Sequence, residues 1–181
     1  MLELVRRLTS APHFDQNVNF VLQLHGTKEW WLAPNHHVER PMTRHTIGLP
    51  MDPELATYAH APMPARMPAD GQSIVLEAGS LLFVPRGVWH CTHAESDALS
   101  LNFTYSAPTW LDLLMAALRS RLALASEWRA TAFPSAAPEF AALLRELADD
   151  VPQWSAADIL AATEGEVDGE DEPGESDESG S

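Results

Sequence analysis

This sequence lacks the patterns that are typical of exported, membrane-spanning and disulfide-stabilised proteins. Its 181 residues include one cysteine, Cys91, so no internal disulfide can form and a reducing compartment is favoured. No apolar run approaches the roughly 18 residues that a membrane-spanning helix needs, and the first residues carry no signal-peptide pattern. We therefore expect a cytoplasmic protein with no membrane partner.

Basic residues are also scarce. Lysine and arginine together number 11, against 26 aspartate and glutamate residues, which gives a formal net charge of −15. Residues 163–181 hold nine of the acidic side chains, no basic one and few apolar ones, a composition that predicts a disordered acidic tail. Because the rest of the chain is still acidic, no nucleic-acid partner is expected, since such binding relies on clustered lysine and arginine.

Up to about residue 106 the chain shows the alternation and the turn residues of β-strands. Strand patterns cover residues 17–24, 28–33, 72–93 and 98–105, and the third of these blocks divides into three short strands. Residues 34–71 contain seven prolines and little periodicity. They predict a long irregular excursion, and loops of this length are usually functional or disordered.

After this β-rich part the pattern becomes helical. Thr109 and Asp112 resemble a capping box that opens a helix reaching to about residue 129. Pro138 stands at the first position of a second helix, and Ser155 caps a short third one. We therefore predict a mainly β fold, a small barrel or sandwich followed by C-terminal α-helices. The predicted divisions are residues 1–107, 108–162 and 163–181.

One spacing near the start of the chain has the chemistry of a metal site. His13 and Asp15 are two residues apart, so on an extended strand both side chains leave the same face. Such a pair also arises by chance. A third candidate ligand, His90, follows a strand, a Pro-Arg-Gly turn and a tryptophan. Two histidines and one carboxylate are the protein ligands of the non-haem Fe(II) facial triad.

Further motifs along the chain, taken together with this spacing, match the pattern of a known family. Residues 10–105 resemble the JmjC and cupin-like 2-oxoglutarate oxygenases, and most closely the branch of the factor-inhibiting-HIF asparaginyl hydroxylase. The matching motifs, in order, are His13-Phe14-Asp15, Asn19-Phe20, Gln23-Leu24-His25-Gly26-Thr27-Lys28, "GSLLFVPRGVWH" over residues 79–90, and Asn102-Phe103. The family has an aspartate at the position of Ser80. The resemblance implies a double-stranded β-helix, the cupin or jelly-roll barrel, and an oxygenase that uses Fe(II) and 2-oxoglutarate.

The resemblance also implies roles for individual residues. His13, Asp15 and His90 would be the iron ligands and the catalytic centre. Lys28, helped by Ser10, would bind the distal carboxylate of 2-oxoglutarate, and the co-substrate pocket would be lined by Asn19 and Asn102. The residues alone agree in part, because His13, Asp15, Asn19 and Gln23 share parity along the chain. These residues also have interpretations without a ligand. Lys28 could be a solvated lysine after a glycine turn, and Asn19 and Asn102 could belong to an ordinary polar strand face.

Two questions stay open at this point. The first is function. The leading interpretation is hydroxylation of a protein side chain or a small molecule. The alternatives are a cupin-type binding or structural module and a metal-dependent cupin enzyme that does not use 2-oxoglutarate.

The second question is assembly. Only twelve residues precede His13, so either the chain begins late or a partner subunit replaces the missing strand of the barrel. The helix from Thr109 to about Arg129 carries more apolar surface than one contact with a small barrel needs, which predicts a homodimer built on residues 109–150.

Overall fold

The computed structural model describes residues 2–6, 9–157 and 159–160, so the predicted acidic tail lies outside the described residues. The chain divides into two compact units between Ala107 and Pro108. The described part of the first unit contains strands β1 (Leu2–Arg6), β2 (Ser10–Phe14), β3 (Val18–His25), β4 (Lys28–Ala33), β5 (His45–Thr46), β6 (Gln72–Leu76), β7 (Leu81–Val84), β8 (Trp89–His93) and β9 (Leu99–Tyr105), and helix α1 (Pro53–Tyr58). The described part of the second unit contains helices α2 (Trp110–Leu122) and α3 (Ala137–Asp150) and the 3-10 turns Glu127–Arg129, Pro134–Ala136 and Val151–Gln153.

The strands of the first unit form two antiparallel sheets. The four-stranded sheet has the order β1-β9-β3-β7, and the five-stranded sheet has the order β5-β2-β8-β4-β6. Strands that follow one another along the chain therefore often lie in different sheets, as the double-stranded β-helix requires. The predicted fold class, a mainly β cupin-type barrel followed by C-terminal helices, is confirmed.

The core of the first unit has two clusters of buried apolar side chains, and the excursion between β4 and β6 supplies part of one. The first cluster consists of Val21, Trp30, Leu76, Leu82 and Val84, and the second of Phe14, Ala33, Val38, Leu55 and Trp89. Val38 and Leu55 belong to the excursion and are 2% and 0% exposed. The excursion is therefore packed against the barrel, although its sequence shows little periodicity.

Strand β3 turns its polar face inward. Asn19 and Gln23 are buried, whereas Phe20 and Leu24 on the alternate positions are 40% and 42% exposed. The same holds for β9, where Ser100 is buried and Phe103 is 44% exposed. The enclosed space between the sheets is therefore polar along these two strands. A polar lining is typical of a binding cavity, whereas a packing core is lined by apolar side chains.

A tight turn joins β3 to β4 and fixes where β4 begins. Gly26 has a φ of +66°, and a Cβ at this position would overlap the carbonyl oxygen of Asp97. The side-chain amide of Gln23 donates from Nε2 to the backbone carbonyl of His25 at 2.8 Å within the same turn. Only glycine satisfies both the left-handed backbone and the close approach.

Replacing Gly26 with alanine should lower the free energy of unfolding by about 2 kcal/mol or more, because a left-handed residue costs ~1–3 kcal/mol and the overlap adds to it. Gly79→Ala is the matched control: its φ is +93°, but a Cβ there meets nothing within 4 Å. Urea denaturation of both variants checks this. Equal losses for the two variants would show that contact with Asp97 has no effect of its own.

The helical unit confirms the predicted start of α2 and corrects its end. Thr109 accepts from the N–H of Asp112 and the Asp112 side chain accepts in return, which is the predicted capping box. The helix ends at Leu122 rather than near residue 129, because the chain tightens into three-residue turns, with Leu124 N–H donating to the carbonyl of Arg121 at 3.2 Å. Arg121 pairs with Asp150, so α2 and α3 are tied at their C-terminal ends. In the part of the chain that the structure describes, none of the helices has the length and apolar character to cross a bilayer.

Candidate metal centre

The structure brings the three predicted ligands together. His13 on β2 lies directly opposite His90 on β8 in the antiparallel register, and Asp15 follows the end of β2. The Oδ2 atom of Asp15 is 3.5 Å from Nε2 of His90 and 3.9 Å from Nε2 of His13. The ligand atoms of all three lie within 4.8 Å of one another. Ligand atoms that share one ion at ~2.1 Å stand about 3 Å apart, so the farthest of these atoms would move closer by less than about 2 Å when an ion binds.

Backbone carbonyls fix the orientation of both imidazole rings. Nδ1 of His13 donates to the carbonyl of Ala11 at 2.7 Å, and Nδ1 of His90 donates to that of Val88 at 2.9 Å. A carbonyl can only accept, so each ring carries a proton on Nδ1 and leaves Nε2 on the side of Asp15. This is the arrangement in which histidine ligates a metal.

The charge states also suit a metal. Burial, reinforced by the neighbouring His90, lowers the pKa of His13 to about 4, so the ring is neutral at pH 7 and can ligate. Burial raises the pKa of the Asp15 carboxyl, but His90, His13 and Arg44 together outweigh that effect and hold the pKa below its usual range. The cluster thus offers the neutral imidazole of His13 and the carboxylate of Asp15, with the His90 ring beside them.

Two further side chains hold the Asp15 carboxylate. The amide nitrogen of Asn19 donates to Oδ2 of Asp15 at 3.0 Å, and the Asn19 oxygen accepts from the hydroxyl of Thr104 at 2.7 Å. Nε of Arg44 lies 3.6 Å from Oδ1 of Asp15. Asn19, predicted only to line the co-substrate pocket, also orients a candidate ligand.

The three candidate ligands line a cavity of about 250 Å³. Its lining consists of Ser10, His13, Asp15, Asn19, Val21, Lys28, Trp30, Arg44, His90, Thr92, Ser100 and Asn102. Every residue that the sequence assigned to the site is in this set. The structure therefore brings all seven together, and the assignment of their roles remains a proposal.

Lys28 is the most distinctive of the lining residues. It is the only lysine among the 181 residues, and it is 5% exposed. Its Nζ lies 5.9 Å from the centre of the Trp30 ring. A buried ammonium on the wall of a polar cavity makes that cavity suited to a carboxylate.

Ser10 and Asn102 complete the predicted set. The hydroxyl oxygen of Ser10 accepts from the N–H of Thr92 at 2.9 Å, which links β2 to β8 inside the cavity. Oδ1 of Asn102 is fully buried, and no donor from the described residues reaches it. An unpartnered buried acceptor on a cavity wall indicates that a ligand or water supplies the donor.

Sequence reasoning missed several lining residues. Thr92 and Ser100 each lie two positions from a predicted residue on the same strand, so their shared parity could have identified them. Arg44 had no such signal. Arg86, which with Lys28 is the other lysine or arginine within the quoted motifs, does not line the cavity. It donates to the carbonyls of Pro41 at 2.7 Å and Arg40 at 3.2 Å and so anchors the excursion.

The arrangement can hold a divalent metal ion on three protein ligands. Such an ion keeps open coordination positions, as the ligand set of non-haem Fe(II) enzymes does. The cavity beside it offers a buried cation, an unpartnered carbonyl oxygen and hydroxyl groups. The cation and the hydroxyl groups suit a small molecule that carries carboxylates and binds next to the metal, whereas the Asn102 oxygen calls for a donor such as water.

Comparisons with known proteins agree with this geometry. A family model described as JmjC domain matches residues 6–113. The uncharacterized protein YxbC of Bacillus subtilis is 38% identical over 112 residues, which are 61% of this chain and 34% of that protein. The bifunctional lysine-specific demethylase and histidyl-hydroxylase NO66 of Dictyostelium discoideum is 35% identical over 120 residues, 65% of this chain and 21% of that protein.

The structural likeness is weaker. The structure of YcfD, a ribosomal oxygenase from Escherichia coli, superposes with a TM-score of 0.48 at 17% identity and covers 85% of this chain and 38% of that one. The chain spans between about a fifth and a third of the length of the two curated relatives described above.

Proposed function

We propose that this chain, which belongs to the JmjC domain family, is an Fe(II)- and 2-oxoglutarate-dependent oxygenase. The observation that carries the proposal is the placement of His13, Asp15 and His90 together on one cavity with the only lysine of the chain. The three side chains would hold Fe(II). The bound ion would supply the redox chemistry that couples oxidative decarboxylation of 2-oxoglutarate to oxidation of a substrate.

The protein's own residues bind and orient the co-substrate in this proposal. Lys28 would pair with the distal carboxylate of 2-oxoglutarate, because an ammonium on a long stem is a suitable partner for a carboxylate in a buried position. Ser10 would add its hydroxyl to the same carboxylate. Asn102, which lines the same cavity, would face the co-substrate through its amide N–H groups, which can donate to a carboxylate.

Other residues keep the ligands in place and limit the access of water. The Trp30 ring stacks on His90 with 5.8 Å between ring centres and 25° between planes. Asn19 keeps Oδ2 of Asp15 directed at the two imidazoles through its 3.0 Å hydrogen bond. Such outer contacts fix ligand geometry before the ion binds, and removing them typically costs about 10–100-fold in metal affinity.

The substrate we propose is a protein side chain. Two of the curated relatives are named for such substrates or assemblies, the histidyl-hydroxylase NO66 of Dictyostelium discoideum and ribosomal oxygenase 1 of Gallus gallus. These names favour a ribosomal protein over the substrate of the factor-inhibiting-HIF branch, and that closer branch assignment remains a prediction. Incubation with ribosomal proteins and 2-oxoglutarate, read by mass spectrometry, should show a gain of one oxygen atom on one of them.

The function is tested by anaerobic titration of the purified protein with Fe(II) and 2-oxoglutarate. We expect the weak visible charge-transfer band of the iron–2-oxoglutarate chelate, and succinate formation once oxygen is admitted. Binding of Fe(II) without a response to 2-oxoglutarate would contradict the proposal and favour a metal-dependent cupin that does not use this co-substrate. Binding of neither would favour a cupin-type structural or binding module.

We also propose that two copies of the chain associate through α2 and α3. Trp110, Leu111, Leu114 and Met115 are 77%, 49%, 43% and 57% exposed on α2. Phe140 and Leu144 on α3 are 53% and 46% exposed. Apolar side chains at this density are usually covered in solution, and a two-fold dimer is the commonest way to cover them. A cytoplasmic location stays a prediction.

Light scattering coupled to size exclusion tests the dimer. We expect a mass near twice the 19.9 kDa of one chain at micromolar concentration. Replacing Leu114 and Leu118 together with glutamate should give monomers, because charges cannot be buried in an apolar interface. Ala116→Glu, on the other side of the same helix, is the control and should leave the mass unchanged. A wild-type mass near 20 kDa would contradict the proposal.

A further inference from the structure

Two side chains contact the Asp15 carboxylate, Asn19 and Arg44. Arg44 belongs to a segment outside the family motifs. We propose that Arg44 is a positioning residue that holds the outer oxygen of Asp15 away from the metal position. This inference rests on the function proposed above. It goes further in giving a role in metal geometry to a residue of the excursion between β4 and β6.

The two oxygens of Asp15 have different neighbours. Oδ2 takes the hydrogen bond from Asn19 at 3.0 Å and faces Nε2 of His90 at 3.5 Å, whereas Oδ1 faces Nε of Arg44 at 3.6 Å. A carboxylate can bind an ion through one oxygen or through both. A guanidinium beside Oδ1 competes with the ion for that oxygen. Binding through Oδ2 alone leaves one more coordination position for the co-substrate.

The backbone on both sides of Arg44 is fixed. Immediately after it, the short strand β5 pairs with β2, where His45 lies opposite Phe14 and Thr46 opposite His13. Just before it, the carbonyl of Pro41 accepts from Nε of Arg86 at 2.7 Å. Arg44 thus reaches Asp15 from a segment that is paired directly with the metal-ligand strand, so its position follows from the fold.

A second role for Arg44 has to be separated from this one. Its side chain is 55% exposed and it lines the cavity, so it could contact a carboxylate of the co-substrate instead. The two roles differ in what they change. A positioning residue alters the metal site before any co-substrate is added, and an anion contact alters only the binding of 2-oxoglutarate.

The test is titration of the full chain with Co(II) in the absence of 2-oxoglutarate, followed by visible absorption. Arg44→Gln should change the shape of the Co(II) band and tighten Co(II) binding, because Oδ1 loses its competing cation and becomes free to bind the ion together with Oδ2. Arg44→Lys keeps the charge and should return both the band and the affinity part of the way to the wild type. Arg66→Gln, which removes an exposed arginine from the same segment, should match the wild type.

The outcomes separate this inference from the proposed function. Arg44→Gln with wild-type Co(II) affinity and spectrum, but a higher apparent constant for 2-oxoglutarate, would overturn the positioning role and make Arg44 an anion contact. An equal change in Co(II) binding in Arg66→Gln would also overturn it, since the effect would then be one of net charge. Failure of the wild-type chain to bind Co(II) would overturn the metal site itself.

Discussion

Alanine in place of Asp15 or His90 should reduce 2-oxoglutarate turnover to background and remove tight metal binding. Each substitution deletes one of three atoms that converge on the metal position, and two remaining ligands hold an ion poorly. The fold should persist: we expect the melting temperature of the metal-free protein to move by no more than about 2–4 °C, which corresponds to ~1 kcal/mol for a chain of this size. Succinate formation and Co(II) titration measure the two losses.

The chain offers a matched control for this prediction. Asp70 forms a second aspartate–histidine pair, with 2.9 Å between its Oδ2 and Nε2 of His36, on the exposed surface of the same unit. Asp70→Ala should leave turnover and metal binding unchanged. His13→Ala provides the opposite check. If it retained most of the uncoupled succinate formation, the assignment of the three ligands would be wrong.

Replacing Lys28 with methionine should raise the apparent constant for 2-oxoglutarate by about 30-fold to several thousand-fold. The range follows from the ~2–5 kcal/mol that removal of one partner of a desolvated ion pair costs. Methionine keeps most of the apolar stem, so the packing against Trp30 is largely preserved. Co(II) affinity should change much less, because Lys28 is not a metal ligand.

The charge of Lys28 is tested separately from its shape. Lys28→Arg restores a cation and should recover part of the affinity, whereas Lys28→Ala removes both stem and charge and should also lower the melting temperature. An unchanged constant for 2-oxoglutarate in Lys28→Met would transfer the role to another cation. The structure makes Arg44 the first to examine, since Arg86 is engaged with backbone carbonyls outside the cavity.

Local patterns predicted the parts of this molecule that depend on neighbouring residues. Alternation along β3 placed Asn19 and Gln23 on one face, and the glycine turn placed Lys28 at the start of the next strand. The capping box of α2 was visible for the same reason, since all its bonds join residues within one turn. His13, Asp15 and His90 needed the family resemblance, because 75 residues separate the last two.

What the patterns missed depends on contacts between distant segments. Alternation shows that β3 has two faces but not which one is enclosed, and here the face with Phe20 and Leu24 is the exposed one. Strand β5 is only two residues long, so no periodicity could reveal it. Arg44 reaches the site because β5 pairs with β2. A pairing of this kind is set by tertiary structure rather than by the sequence of either strand.

The single lysine has a consequence for regulation. Acetylation, methylation and ubiquitination of lysine all require an ε-amine, and these 181 residues contain one, at Lys28. That residue is 5% exposed on the wall of the cavity. In the role proposed for Lys28, an acylated amine could no longer pair with the distal carboxylate of 2-oxoglutarate. Acylation of this one side chain would then block the co-substrate and leave the three candidate metal ligands unchanged.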